Sequence, residues 1–389
     1  MRELPPAEIL RYYAFRAGQS AAFTLPVHVL FFQSRGLSLL EIGAIEALYT
    51  VAVVALEAPT GYVGDRIGRR RTMIAGTVLS AVGVVGFLLA RSLAGFALVV
   101  FVRAVAGAFR SGAQGAWLYE TLAGDAEAAS FARVSGRANA VGLATLAAAS
   151  LLGAAAYAVD HAAPFLLEGA AGAVAVGVLV GMDEPDRTAD DDADAFDPQA
   201  VLTAVRRTMA TRAVGPLVLA VGLLAAVGNT MQFYLQPVAV ATPWLSPARL
   251  GPLYAGLTLV SAGVSARAGW LHDRLGVRGW FLTGPPLLAV GLLLVPIAPA
   301  LALPVFVLRA GVSDATTPLF NQYLNDRTDR ARATVLSAAS AVRALFTAPL
   351  NLLGGGIATA YALSTGLGTL GAVLLVGLGL TLAAWRPAH

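Results

Sequence analysis

Among its 389 residues the chain has no cysteine, and none of its 27 basic residues is a lysine. The first absence excludes disulfides and thiolate metal sites. The second excludes the phosphate-gripping loop that ends on lysine, which disfavours ATP-driven pumping. All-arginine usage and the acidic run Asp190, Asp191, Asp192 and Asp194 fit a GC-rich genome and a salt-adapted host. Charge of either sign is scarce, at 13% of residues, where soluble domains carry about 25%. No nucleophile–base constellation stands out, so an enzyme is not expected, and neither is a cofactor or a metal. The pI near 9.6 does not point to nucleic acid. The arginines sit in short turns between apolar segments, which is a topology signal and not a basic groove.

What the chain has in excess is oil. Hydrophobic residues make up 57% of it and the mean hydropathy is +0.70. Apolar stretches near 20 residues, enough to cross a bilayer as a helix, recur throughout. They run over 9–33, 40–63, 72–91, 95–119, 131–158 and 163–181, then 214–240, 249–269, 279–297, 302–324, 333–358 and 364–385. This predicts a first six-helix set in 1–181, a polar linker at 182–213 and a second set in 214–389. In the linker Val201, Leu202, Val205 and Met209 share one helical face, with Arg206 and Arg207 between them. A short amphipathic surface helix is expected there. The first segment has no small-residue cleavage site after it, so it reads as a retained membrane helix and not a signal peptide.

Arginine placement sets the orientation. Arg66, Arg69, Arg70, Arg71, Arg187, Arg206, Arg207, Arg212, Arg274, Arg278, Arg327, Arg330 and Arg332 fall in turns on one side. Only Arg35, Arg91 and Arg249 fall on the other. Both termini are then expected in the cytoplasm of a multi-pass cell-membrane protein.

One charged turn occurs twice. Gly61-Tyr62-Val63-Gly64-Asp65-Arg66-Ile67-Gly68-Arg69-Arg70-Arg71 follows the second apolar segment. Gly269-Trp270-Leu271-His272-Asp273-Arg274-Leu275-Gly276-Val277-Arg278 repeats the G-x-x-x-D-R-x-G spacing in the second half. Duplicated halves of this kind are the construction of secondary transporters. Gly61, Gly64 and Gly68 let backbones approach closely. Asp65 can cap a neighbouring helix N-terminus, where the dipole is positive. Arg66 and Arg69 to Arg71 can pair with acids of the other bundle or anchor in headgroups. Arg71 is read as an anchor.

These features resemble the major facilitator superfamily over essentially the whole chain. The turn from Gly61 to Arg71 matches that family's signature, and Gly269, Asp273, Arg274 and Gly276 match its weaker second copy. Arg103 with Gly107 resembles the family's fourth-helix motif, with Ala106 where Gln is frequent. The glycine–proline pair of antiporters is absent from Gly142 to Gly153, while Glu57-Ala58-Pro59-Thr60-Gly61 looks like multidrug-exporter-like members. The resemblance implies an all-α membrane protein: twelve transmembrane helices in two six-helix bundles, related by a pseudo-twofold axis. It also makes Gly61, Asp65, Arg66, Gly68, Arg69 and Arg70, with the second copy, a conformational latch.

Charges within apolar spans are costly and must face protein or water. Depth along the helices suggests an Arg16–Glu57 pair and an Asp314–Arg343 pair, each equally readable as a device fixing helix register. Glu46 with Arg103 is read as a proton-sensitive switch, because loss of an arginine partner lets a carboxylate in low dielectric take up a proton. Arg110 shares a face with Arg103, and Arg309 holds the matching place in the second half. Arg133 and Arg137 should snorkel to the interface, and Glu168 should be solvated at the outer end of its helix. Tyr12, Tyr13 and Tyr323 read as interfacial anchors, and Asn351 as glue between helices. Phe23, His28, Asn229 and Gln232 are the substrate-cavity candidates, His28 being equally readable as a packed core residue.

The function expected is proton-coupled export of a small organic solute by a monomer, through alternating access. A symporter or uniporter of a polar nutrient is the first rival; an anionic nutrient would need some of the arginines unpaired. A transport-dead receptor or scaffold on the same fold is the second.

Overall fold

In the computed structural model the described residues are 7–122, 128–185, 203, 206, 209–242, 245–325 and 332–385. Among them the fold is all helix. In chain order the helices are α1 (Ala7–Ser20), α2 (His28–Ser34), α3 (Leu39–Ile67), α4 (Arg69–Gly86), α5 (Leu93–Leu122), α6 (Ala128–Val159) and α7 (Ala163–Val180). Then come α8 (Gly215–Val240), α9 (Leu250–Ser265), α10 (Ala268–Leu294), α11 (Ala302–Asn325), α12 (Arg332–Ala360) and α13 (Leu363–Ala384). Nine of the described helices are long and apolar enough to cross a membrane. Helices α1 and α9 are short, and α4 opens on Arg69, Arg70 and Arg71.

Three boundaries differ from the sequence reading. The first apolar segment is broken: backbone 21–27 is non-helical, and α2 restarts after Pro26, which has no N–H to give a helix. The first signature is not a loop. Helix α3 runs through Pro59 to Ile67, and only Gly68, at φ 96°, turns the chain into α4. In α10 a single non-helical residue, Gly276 (φ 61°, ψ 174°), makes the matching bend. Of the amphipathic stretch in the linker, Val201, Leu202 and Val205 lie outside the described residues, as do Asp190 to Asp194.

Polar side chains buried in the helices mostly satisfy themselves. Thr72, Thr77, Thr145, Ser150, Thr316 and Thr347 each donate to the carbonyl four residues earlier. That hides a hydroxyl where lipid offers no partner.

Two compact units result. The first comprises Met1–Phe31, Leu48–Phe196 and Ser246–Ala255. One end of its core is Ile9, Tyr12, Phe15, Met73, Trp117 and Leu179, with Tyr12 stacked on Trp117 at 5.5 Å. The other end is a ring cluster of Phe31, Phe87, Phe96 and Phe165. Helices α1 and α7 meet at Gly18 and Ala175, and α4 and α7 at Ala81 and Gly172, where an added Cβ would collide. The second unit comprises Phe32–Ala47, Asp197–Leu245 and Gly256–His389. Helix α8 is its centre, with 72% of its apolar window buried. Tyr234 is clasped by Gly354 and Gly366, and Thr230 donates to Asn351 Oδ1 at 2.7 Å. Asn351 thus joins α8 to α12. Tyr323 and Trp385 both donate to the Ala213 carbonyl, at 2.8 and 2.9 Å, and fix the chain entering α8. Tyr12 and Tyr323 are therefore buried packing residues and not interfacial anchors, since each ring finds an aromatic partner inside its own unit.

Candidate functional site

The first signature carries an ion network. Arg69 lies between two acids. It pairs with Asp65 one turn back, and its Nε donates to Glu120 of α5 at 2.9 Å. Burial opposes its charge, but the hydrogen bonds it donates to Glu120 and Asp65 outweigh that and hold its pKa above the ordinary arginine value. Arg70 reaches the chain after α7: its backbone N–H donates to Glu184 at 3.0 Å and its Nη1 to the Met182 carbonyl at 2.6 Å. Arg66 packs over the Tyr62 ring at 4.3 Å. The residue at the centre is thus Arg69, while Arg66, expected to latch, lies exposed on its own helix. Gly61 is exposed as well.

The second copy keeps the bend and loses the network. Arg274 packs over Trp270 at 5.5 Å, as Arg66 does over Tyr62. Asp273 and Gly269 are exposed, and no ion pair joins Asp273 or Arg274 to a described residue. Val277 stands where Arg69 stands in the first copy and is buried.

The break in the first span is held by a carboxylate. Glu168 of α7 accepts from the Thr24 backbone N–H at 2.9 Å and from the Thr24 hydroxyl at 2.6 Å, both through Oε2. Its Oε1 lies 3.6 Å from Arg103 Nη2, and its side chain is only 15% exposed. The expectation that Glu168 is solvated is overturned. It lies little more than one turn into α7, but the non-helical residues 21–27 come to it. An N–H released from a broken helix needs an acceptor where water is absent, and Glu168 supplies one. Arg103, expected to partner Glu46, pairs with Glu168 instead. Phe23 sits in the break with its carbonyl pressed against Gly153 of α6. His28 begins α2, and its Nδ1–H donates to the Leu25 carbonyl at 3.0 Å.

Arg16 does not meet Glu57. Its Nη1 donates to two neutral amide oxygens, Gln19 at 2.8 Å and Gln114 at 3.0 Å. Glu57 is exposed and lines a small cavity with Thr60, Arg69 and Ser111. The stems of Arg103 and Arg110 cross α4 at Gly83 and Gly76, where a Cβ would come within 2.7 Å of each. Arg110 Nε is buried without a hydrogen-bond partner.

In the second unit Gln232 meets Arg309. With its amide oxygen turned to the guanidinium, as the donor pattern requires, it accepts from both Nη atoms at 2.9 Å. Asn229, one turn earlier on α8, is exposed. Asp314 and Arg343 are not paired. Asp314 is half-buried on α11, whereas Arg343 lies exposed beside Val342, the residue that fills the space over Gly222 of α8. Glu46 is half-buried. A separate apolar cavity of about 680 Å³, lined by Thr242, Pro299, Leu303 and Ser364 among others, contains none of the residues singled out from the sequence.

Sequence reading misjudged Glu168 and missed Glu120, Glu184 and Gln114. Pro26 was the available signal for Glu168: a proline inside an apolar span frees backbone groups and calls for an acceptor on a neighbouring helix. The acids at 120 and 184 follow helices whose ends were placed short of them, so they read as loop residues.

No curated protein is matched by the sequence. The family model described as Major Facilitator Superfamily matches residues 13–350. By structure the chain is similar to a mutant of the nucleoside transporter NupG, at 12% identity and a TM-score of 0.80, over 97% of this chain and 98% of that one. It is similar to a bacterial homologue of the human lysosomal transporter Spinster, inward-facing and unoccupied, at 16% identity and a TM-score of 0.78, over 98% of each. It is also similar to a POT family transporter in complex with 5-aminolevulinic acid, at 12% identity and a TM-score of 0.72, over 96% and 95%. At these identities the likeness carries the fold.

Proposed function

The chain belongs to the Major Facilitator Superfamily, and we propose that it is a proton-coupled secondary active transporter of a small organic solute, working by alternating access. On this reading α1 with α2, α4 and α9 complete twelve crossings in two six-helix bundles. The termini are cytoplasmic, the protein is a monomer in the cell membrane, and its affinity is with the multidrug-exporter-like members. The two signature copies form the latch between conformations, the first through its ion network and the second through its bend.

The observation that carries the proton coupling is Glu168. As a carboxylate it accepts two hydrogen bonds from Thr24 and faces Arg103. The charged groups around it are Arg103 and Arg110 from α5, with the imidazole of His28 nearby in the same layer. A proton on Glu168 cancels its charge toward Arg103 and weakens its grip on Thr24. The break in the first span is then free to re-form, and Arg103 is free for a second carboxylate, the part proposed for Glu46. Coupling follows if only one conformation offers Glu168 these partners.

Export in exchange for protons is the direction proposed. Uptake with protons is the second reading, favoured by Arg16 and Arg110 having no acidic hydrogen-bond partner among the described residues. The test is luminal pH in proteoliposomes during flux of cationic, neutral and anionic solutes. The expected outcome is a solute-dependent pH change that Glu168→Gln abolishes while solute exchange at equal concentrations persists. A pH change of opposite sign selects symport. Solute-dependent proton flux surviving in Glu168→Gln overturns the assignment, and no flux for any solute selects the receptor reading.

A further inference from the structure

The first unit holds more positive charge in its spans than its own acids neutralise. Arg110 lies in the fields of Arg103, Arg16 and Glu168, and Glu168 is the one acid among them. Arg103 faces that acid at 3.6 Å. Arg16 is held only by the neutral oxygens of Gln19 and Gln114. Arg110 makes no hydrogen bond or ion pair with any described residue, and its Nε is shut away from solvent. Tyr49, also in the field of Arg110, supplies a hydroxyl and not a carboxylate.

This arrangement is built. Helix α4 carries glycine at 76 and 83, with the same spacing as the arginines at 110 and 103. Each arginine stem fills the place a Cβ would take. The two guanidiniums are thereby seated against α4 and cannot swing away through it. On the other side Gln19 and Gln114 together fix one nitrogen of Arg16, leaving its remaining N–H groups free to donate. A buried guanidinium with no counter-charge costs several kcal/mol. Arg16 and Arg110 are both half-buried, and two such groups held by neutral scaffolding make sense where the missing negative charge arrives from outside.

We infer that Arg16 and Arg110 form a recognition site for an oxyanion, a carboxylate or a phosphate, on the transported solute. Two guanidinium forks match the paired oxygens of such a group and discriminate against neutral and cationic analogues. The substrate class is then an organic anion. This rests on the transport reading above, and it makes Glu168 and the solute competitors for the same arginine cluster. An arriving anion weakens the hold of Arg103 on Glu168, which links solute binding to proton binding.

Binding without flux tests it. Purified full-length protein in nanodiscs, at fixed ionic strength, is titrated with benzoate and phenyl phosphate, and with benzamide and benzylamine as neutral and cationic counterparts, while thermal unfolding is followed. Both anions are expected to raise the midpoint in a saturable way, and the two counterparts are not. Arg110→Gln and Arg16→Gln should each weaken the apparent affinity for the anions about tenfold or more, equivalent to about 1.4 kcal/mol. Arg110→Lys, which keeps charge but loses the fork, should fall between. Arg110→Gln should unfold no earlier than the parent in the absence of anion, because it removes an uncompensated charge. Equal shifts with benzoate and benzamide overturn the inference, and so does an anion effect undiminished in both glutamine variants. If the anions bind through Arg16 and Arg110 but no solute drives flux, this site stands and the transport reading falls. If a neutral solute drives proton flux while no anion binds, the reverse holds.

Discussion

The two signature copies share a backbone and differ in chemistry. In each a glycine at positive φ, Gly68 at 96° and Gly276 at 61°, turns one helix into the next. In each an arginine lies over an aromatic ring four residues earlier, Arg66 over Tyr62 and Arg274 over Trp270. Among the described residues only the first copy recruits acids from elsewhere, Glu120 from α5 and Glu184 from beyond α7. The bend and the ion network are therefore separable. The bend needs only glycine and a local ring. The network needs Arg69, and the second copy has Val277 there. The difference marks the first copy as the one whose electrostatics respond to a change of state.

The sharpest way to break that comparison is Arg69→Ala. It strands Glu120, whose side chain is 9% exposed, as an unpaired buried carboxylate. Because Arg69 itself is 21% exposed, the expected loss is about 2–3 kcal/mol, below the full range for breaking a buried pair. Thermal unfolding in detergent reads it. Arg69→Ala with Glu120→Gln should recover part of the loss, since the stranded charge goes with it. Val277→Ala, at the equivalent position, should behave as an ordinary trimmed apolar contact of about 1 kcal/mol. Equal losses at the two positions, with no recovery in the double variant, would mean that the network contributes nothing beyond packing.

The glycines come next. Gly68 and Gly276 both hold conformations essentially closed to side chains, so alanine at either costs about 1–3 kcal/mol in strain. At Gly68 an added Cβ would also lie 2.7 Å from a carboxylate oxygen of Glu184, whereas at Gly276 it would meet nothing within 4 Å. Gly68→Ala should thus lower the unfolding midpoint more than Gly276→Ala, and only Gly68→Ala should disturb the contact of Arg70 with Glu184. A larger drop at Gly276 would show that the second bend carries load which its surroundings do not reveal.

How much of this the sequence disclosed follows from range. Most of the helices, and the duplicated turn, come from local hydropathy and spacing, and their ends fall within a few residues of expectation. The breaks do not. A helix continues through Pro59, beside which Thr60 donates its hydroxyl to the Leu56 and Glu57 carbonyls, while before Pro26 the chain leaves the helix and Glu168 receives the Thr24 N–H. The acceptor beside Pro26 lies on another helix, where no local pattern announces it. Charge pairing was less legible still. Depth along a helix puts Arg16 level with Glu57 and Asp314 level with Arg343, yet rotation decides who meets, and rotation is fixed by glycine contacts such as Gly76, Gly83 and Gly222 on neighbouring helices. Arg16 therefore finds amides, and Arg343 stays exposed.

The smallest effects test the comparison most finely. Asp65 is 44% exposed and its partner lies one turn away, so Asp65→Asn should cost no more than about 0.3–0.5 kcal/mol, the worth of an exposed pair on a helix. Asp273, exposed and without an ion pair among the described residues, should cost even less when changed to Asn, within about 0.5 kcal/mol of zero. Stability therefore hardly separates the two variants, and any large difference between them has to lie in function. If the first copy is the latch, Asp65→Asn changes the initial rate of solute flux in proteoliposomes several-fold, because it loosens Arg69 in one conformation without destabilising the fold. Asp273→Asn leaves the rate unchanged. Equal rates for both variants and the parent would reduce the first network to a topological anchor, and the likeness between the two copies would then lie only in the backbone bend they share.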